Sequence, residues 1–290
     1  MKYVNWQKMN TESHFRSWEE AVEWLRDQPD QQQMVLDCYY DDPLSVAAER
    51  YWRSAEWADI RNLLKGRSGK ALDVGAGRGI ASYALARDGF TVTALEPDTS
   101  ELVGAEAIRR LAIEESLPIS VEVEFSERLP FADNSFDVVF ARAVLHHTKD
   151  LDSACREFYR VLKPGGVLLA IREHVISRKE DLDTFLEQHP LHKLYGGENA
   201  FLLKRYTAAL GSAGFGKIVV LSPWSSAINF SPYTVSALKR ELVCRAGLTP
   251  LSTITQMFLD VPVFWNLTKK VLERVDNRSG RLYSFKGEKA

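Results

Sequence analysis

Lys70-Ala71-Leu72-Asp73-Val74-Gly75-Ala76-Gly77-Arg78-Gly79-Ile80 is the stretch from which the rest of the chain is read. Ala71, Leu72 and Val74 make a short apolar run that reads as a buried strand. The run breaks into Gly-x-Gly-x-Gly, and Ile80 to Arg87 then spaces its apolar residues as a helix does. Strand, glycine turn and helix form the entry to a nucleotide-binding α/β unit. There, missing side chains let backbone approach a ligand closely.

The glycine spacing narrows the ligand class. A pyrophosphate-binding turn follows Gly-x-Gly-x-x-Gly, whereas the third glycine here, Gly79, comes one residue early, and Ile80 stands at the expected position. Asp73 at the strand end would repel a pyrophosphate but suits an ammonium group. The turn therefore matches a nucleoside that bears an amino acid better than a dinucleotide. A ligand-free glycine turn has the same look until later residues agree.

The second strand, Thr91 to Leu95, ends in Glu96-Pro97-Asp98, about 20 residues beyond the glycines, where a carboxylate accepts from ribose hydroxyls. Leu129-Pro130-Phe131-Ala132-Asp133-Asn134-Ser135-Phe136-Asp137-Val138-Val139 and Leu162-Lys163-Pro164-Gly165-Gly166-Val167-Leu168 follow in order. With LDVGAGRG, LEPD, LPFADNSFDVVFARAVLHH and RVLKPGGVLL, the chain resembles the class I S-adenosylmethionine-dependent methyltransferases of the small-molecule type. The likeness runs from Lys70 to Phe215.

The resemblance implies a Rossmann-like α/β fold, with a mostly parallel sheet, an antiparallel last strand and S-adenosylmethionine as cofactor. It implies that Gly75, Gly77 and Gly79 make room for the methionine part, with Asp73 near its ammonium group. Glu96 would take the ribose and Pro97 would lie against the adenine. The family's usual adenine-reading Asp is replaced by Phe125, which leaves Ser126 and Glu127 to read the base. N-terminal helices close over the methionine end in this family, so Tyr39 or Tyr40 is expected to turn an aromatic face to the sulfonium. Arg142 is expected to hold a carboxylate of the methionine or of the substrate.

His146, His147 and His174 are the candidate general bases, since each lies at or just past a strand end. A base is needed only for an acceptor of high pKa. Structural service to backbone groups is the alternative for the paired histidines. No cluster with metal-ligand spacing stands out, so no metal is expected.

Composition bounds the rest. The 290 residues are 45% hydrophobic and 26% charged, as in an ordinary globular chain that can bury a large core. A formal net charge of −2 offers no basic stripe for a phosphate backbone, so nucleic acid is not an expected partner. Cys38, Cys155 and Cys244 are widely spaced and suggest neither a disulfide framework nor a zinc site. Without a leader-like apolar start or a membrane-span run of about 20 residues, the expected location is the cytoplasm. The expected partner is a small-molecule substrate, with a homodimer among the expected states.

The chain divides into an N-terminal helical cap (1–66), the cofactor-binding core (67–230), a helical insertion (231–280) and a last core strand (281–290). In the cap, Ser17 has capping-box spacing to Glu20 ahead of a helix that Pro29 stops. Met34 to Tyr40 reads as a second helix, and a third begins after Asp42-Pro43 and runs to Leu64 with Tyr51, Ala55, Ala58 and Leu63 on its buried stripe. Thr99 to Glu115 reads as a core helix, and Pro164-Gly165-Gly166 as a turn ahead of strand five. Arg172 to Tyr206 reads as part of a lid. In the insertion, Val235 to Ala246 and Ile254 to Val275 are helical, kinked at Pro262, and Met257, Phe258, Val261, Phe264 and Trp265 look too apolar for water. The insertion is expected to shape the substrate pocket, with a dimer face or padding as the alternative. The rival functions are a nicotinamide-dependent oxidoreductase, which Gly79 and Asp73 disfavour, and a non-catalytic module that binds the cofactor or its product.

Overall fold

The computed structural model describes residue 15, residues 17–245 and residues 252–290; Ala246, the expected end of the first insertion helix, lies outside them. Four helices come first: α1 (Trp18–Asp27), α2 (Gln32–Asp37), α3 (Leu44–Trp52) and α4 (Ala55–Leu63). The alternating core follows with β1 (Lys70–Val74), α5 (Ile80–Arg87), β2 (Thr91–Leu95), α6 (Ala105–Glu114), β3 (Ile119–Glu122), β4 (Phe136–Arg142), α7 (Leu151–Val161) and β5 (Leu162–Ile176). Beyond β5 come α8 (Asp181–Gln188), α9 (Pro190–Leu194), β6 (Phe201–Leu202), α10 (Leu203–Ala213) and β7 (Ile218–Leu221). The chain closes through α11 (Ala227–Phe230), α12 (Val235–Arg245), α13 (Ser252–Asp260), α14 (Pro262–Val275) and β8 (Arg281–Glu288).

The sheet order is β3-β2-β1-β4-β5-β8-β7, with the two-residue β6 paired to the end of β5. The pairs among β1 to β5 are parallel, and β8 lies antiparallel between β5 and β7. Strand order reverses between β1 and β4, so the carboxyl ends of those strands open the crevice where such sheets bind ligands. The expected Rossmann-like sheet with an antiparallel last strand is therefore present.

Both faces of the sheet are covered, and the two-residue period of the strands sorts side chains between them. Val138 and Phe140 of β4, with Val167, Leu169 and Ile171 of β5, pack in one buried cluster with Tyr51, Trp57, Ile60 and Leu85. Val139 and Ala141, with Leu168 and Ala170, face the other cluster, which holds Phe158, Tyr206 and Leu210. Helices α3 and α4 thus pack directly on the sheet.

Several boundaries differ from the sequence reading, each for a local reason. The helix expected between Pro43 and Leu64 starts at Leu44 but is two helices, because Arg53-Ser54 interrupts it and the Ser54 hydroxyl caps α4 by accepting from Trp57 N–H. The break resets the helical phase, so Glu56, Trp57 and Ile60 are buried while Ala58 is exposed. Residues 99–104 form a turn and α6 starts only at Ala105, since Gly104 passes close to Asp98, whose carbonyl oxygen a Cβ would meet at 2.4 Å. Pro164-Gly165-Gly166 is a bulged entry within β5. The register jumps from Phe136↔Leu162 to Val138↔Val167, and Gly165 N–H donates to Lys289 O at 2.8 Å.

The expected helices of the insertion are present, with the break at Val261 and Pro262 opening α14. Their apolar residues are not covered as expected. Met257, Phe258, Val261 and Phe264 are exposed, and α14 has no buried residue. Among the described residues, no helix is long and apolar enough to cross a membrane.

Candidate active site

The glycine turn is built by close approach. Gly75, Gly77 and Gly79 all have positive φ, and a Cβ on Gly75 would sit 2.7 Å from Val144 Cγ2. Gly79, in the left-handed region, is the residue from which α5 starts. Behind the turn, Asp73 is 1% exposed and accepts a 2.6 Å hydrogen bond from the Ser82 hydroxyl. Burial pushes its pKa up to about 7, opposed by the Ser82 hydrogen bond. A buried carboxylate met by the Ser82 hydroxyl and backbone N–H, neither of them charged, is suited to an added cation, and an ammonium group fits that demand.

Glu96 leaves the end of β2 and folds back onto the turn. Its two oxygens accept from Gly77 N–H at 2.6 Å and Asp98 N–H at 3.0 Å. Burial raises its pKa to about 6 against those two donors. Each carboxylate oxygen retains a further lone pair for a hydroxyl. The structure thus brings Asp73, the three glycines and Glu96 into one turn, with Pro97 exposed beside it. Ser126 Oγ donates to Glu127 Oε2, and Glu127 Oε1 accepts from Lys149 N–H at 2.8 Å, while Phe125 is exposed.

Arg142 and Tyr40 are placed otherwise than expected. The Arg142 fork meets Glu56 of α4, with Nε to Oε1 at 2.7 Å and Nη2 to Oε2 at 3.2 Å. Glu56 is fully buried; it also accepts from Tyr51 Oη and lies 3.5 Å from Arg172 Nη1. A long-range pair between a cap helix and a strand end has no short-range sequence signal, so the partner was missed. Burial opposes the charge of Glu56, but Arg142 and Arg172 outweigh it and hold its pKa down. The Tyr40 ring packs edge-on against Trp18 in the cap cluster. It is Tyr39, with positive φ, that lies against Tyr51 and within 6.0 Å of the Arg142 guanidinium.

On the β4 and β5 side stands a histidine cluster. Glu173 accepts the N–H groups of Val144, Leu145 and His146, and its Oε2 lies 2.6 Å from His146 Nδ1. His147 Nδ1 is 2.9 Å from Gly197 O, and His174 Nδ1 is 3.0 Å from Gly280 O. The His174 ring is 4.7 Å from the His146 ring and 5.0 Å from the His189 ring. Glu198 reaches in from the 196–199 loop, its Oε2 3.5 Å from His146 Nε2 and 3.8 Å from His147 Nε2.

The three candidate bases differ electrostatically. Burial works against a charged His146, but Glu173 and Glu198 outweigh it and raise its pKa to about 9. Burial and the neighbouring His146 hold His147 below the usual histidine value, and drive His174 well below it. His147 is 42% exposed on its side chain, so it is the neutral, reachable imidazole of the three. The expectation of no metal-ligand cluster needs correction. His146, His174 and Glu198 each offer one ligand atom, and these atoms all lie within 4.8 Å of one another. Residues distant in sequence form the group, so spacing did not reveal it.

Comparison with known proteins places methyltransferases among the relatives of this chain. Residues 72–170 match the family model described as a methyltransferase domain. A demethylmenaquinone methyltransferase of Chlorobaculum parvum is 34% identical over 137 residues, which are 47% of this chain and 54% of that protein. The phosphoethanolamine N-methyltransferase 1 of Triticum aestivum is 31% identical over 177 residues, 60% of this chain and 33% of the relative. The chain thus spans about half or less of the length of these curated relatives. Among solved structures, the phosphoethanolamine N-methyltransferase 2 of Haemonchus contortus, in complex with S-adenosyl-L-methionine, superposes with a TM-score of 0.53. That match has 21% identity and covers 92% of this chain and 60% of the other.

Proposed function

We propose, from the premise that residues 72–170 are a methyltransferase domain of the class I S-adenosylmethionine-dependent family, that the chain transfers a methyl group from S-adenosylmethionine to a small-molecule acceptor. The observation that carries the reading is the joined turn in which Gly77 N–H and Glu96 meet above the buried Asp73. When bound, the cofactor supplies an activated methyl group on a sulfonium. Asp73 would face its ammonium group, Glu96 the ribose hydroxyls, and Pro97, Ser126 and Glu127 the base.

The acceptor is then met from the β4 and β5 ends. His147, neutral and partly exposed, is the residue suited to take a proton from an acceptor of high pKa. Arg142 and Arg172 share one glutamate, so the wall beside Tyr39 and Tyr51 keeps a net positive charge that favours an anionic group. The relatives named above carry quinone and phosphoethanolamine precursors in their names, and a small functionalised metabolite is the matching class here. The exposed apolar face of α13 and α14 is the surface for an acceptor's apolar part or for a homodimer contact.

Calorimetric titration tests the cofactor half: S-adenosylhomocysteine should bind and NAD should not. Transfer of labelled methyl to a panel of phenolic, amine and carboxylate metabolites tests the reaction. Tight S-adenosylhomocysteine binding without any labelled product would leave a binding module as the better reading. NAD binding without S-adenosylhomocysteine binding would overturn the cofactor assignment.

A further inference from the structure

We infer that His146, His174 and Glu198 form a binding site for one divalent first-row transition-metal ion, of the class that takes imidazole nitrogen and carboxylate oxygen together. The residues come from three separate segments: the turn after β4, the end part of β5, and the 196–199 loop. Their ligand atoms lie within 4.8 Å of one another, and His146 Nε2 is already 3.5 Å from Glu198 Oε2. Ligand atoms in a tetrahedral site with bonds of 2.0–2.1 Å stand about 3.4 Å apart. The longer edges, up to 4.8 Å, would have to shorten when the ion binds.

Two further observations point to a ligand. Each histidine has its Nδ1 committed elsewhere, His146 to the Glu173 carboxylate and His174 to the Gly280 carbonyl. A proton on each Nδ1 leaves the Nε2 lone pair for a metal, and metal-binding histidines are oriented in this way by carboxylates and backbone carbonyls. Glu198 supplies the second observation. Its side chain is nine-tenths buried, and among the described residues Oε2 makes no hydrogen bond, with His146 Nε2 standing 3.5 Å away. A buried carboxylate oxygen left in that state is costly unless a cation meets it. Two histidines and one carboxylate leave a fourth position open, as in catalytic rather than closed structural zinc sites. That position would accept water or an oxygen donor of a small molecule.

The competing arrangement is a closed chain in which a doubly protonated His146 bridges Glu173 and Glu198 with no metal. Tag-free full-length protein, stripped with a chelator and dialysed, distinguishes the two. Titration with Zn²⁺ should give one equivalent bound, and titration with Co²⁺ should give the visible absorption of a low-coordinate nitrogen and oxygen site. Glu198→Gln and His174→Asn should each weaken binding at least 100-fold with unchanged circular dichroism. Cys244→Ser, which removes an exposed thiol, should leave it unchanged. Addition of Zn²⁺ should also raise the Tm of the wild type and not that of Glu198→Gln. No stoichiometric binding, or binding that survives both substitutions, would overturn the inference. So would a His146 ring that keeps both protons by NMR with Zn²⁺ present. None of these readouts depends on methyl transfer, so the metal site stands or falls separately from the proposed reaction.

Discussion

Asp73→Asn should make the ligand-free protein more stable at neutral pH and a poorer binder of the cofactor. Burial holds the Asp73 pKa at about 7, against 3.8 for the ordinary side chain. At 1.36 kcal/mol for each tenfold change, that displacement is a cost on the order of 4 kcal/mol once the group is ionised. The sign follows from proton counting. Between the two values the folded state binds more protons than the unfolded one. The contribution is therefore fully present below pH 3.8 and is lost as pH rises through about 7. An asparagine keeps an oxygen for the Ser82 hydroxyl and carries no charge to desolvate. Urea unfolding of both proteins from pH 5 to pH 8 measures the effect. The variant's advantage should grow across that range to a few kcal/mol, while S-adenosylhomocysteine affinity falls at least tenfold as the counter-charge for the ammonium is lost. A variant that is less stable at pH 8, or a difference that does not vary with pH, would refute the reasoning.

Other substitutions test neighbouring claims. Glu96→Ala should raise the Kd for S-adenosylhomocysteine at least tenfold with intact circular dichroism, because charge-assisted bonds of about 1.5–3 kcal/mol each are removed; calorimetry reads it directly. Glu56→Gln leaves Arg142 and Arg172 buried without their shared carboxylate, and should destabilise the fold by about 3–5 kcal/mol in denaturant titration. Gly280→Ala places a Cβ 2.1 Å from Phe185 Cδ2 at a residue with φ of +71°, so thermal unfolding should show a loss of about 1–3 kcal/mol.

The alternating strands and the glycine turn were legible because their causes are local. Val74, Leu95 and Ala141 end apolar runs, and each run is followed within a few residues by the group that belongs at a strand's carboxyl end. Asp73 and Glu96 could therefore be placed from register alone. Arg142 could not, because its partner Glu56 lies 86 residues away on a helix whose buried face was misphased by the unnoticed Ser54 cap. Tyr40 failed for a related reason. Adjacent aromatics look alike in sequence, and the positive φ of Tyr39 is what sends the two rings to different clusters. Apolarity in α13 and α14 was read as burial, yet their exposed Met257, Val263 and Leu267 show that composition speaks of a preference and not of what is available to cover it.

The Glu56 pairing also bears on the proposed acceptor half of the site. Helices α3 and α4 look like a cover laid over a finished core, but Tyr51, Trp57 and Ile60 pack in the same cluster as Val138, Phe140 and Leu169 of the sheet. Glu56 then fixes Arg142 at the end of β4 and sits within 3.5 Å of Arg172 on β5. Arg172 Nη1 in turn donates to Ile228 O at 2.9 Å, at the start of the segment that leads into the insertion. One buried carboxylate therefore ties the N-terminal helices, two central strands and the approach to the insertion at a single point. Loss of that carboxylate would be felt on both sides of the proposed acceptor wall, where Tyr39 and Tyr51 lie against the same guanidinium. The glycine turn, whose contacts run through Glu96 and Asp73, does not depend on it. In Glu56→Gln, acceptor turnover should accordingly fall further than S-adenosylhomocysteine affinity under conditions where the variant stays folded; equal losses in both would mean that the pair supports only the fold.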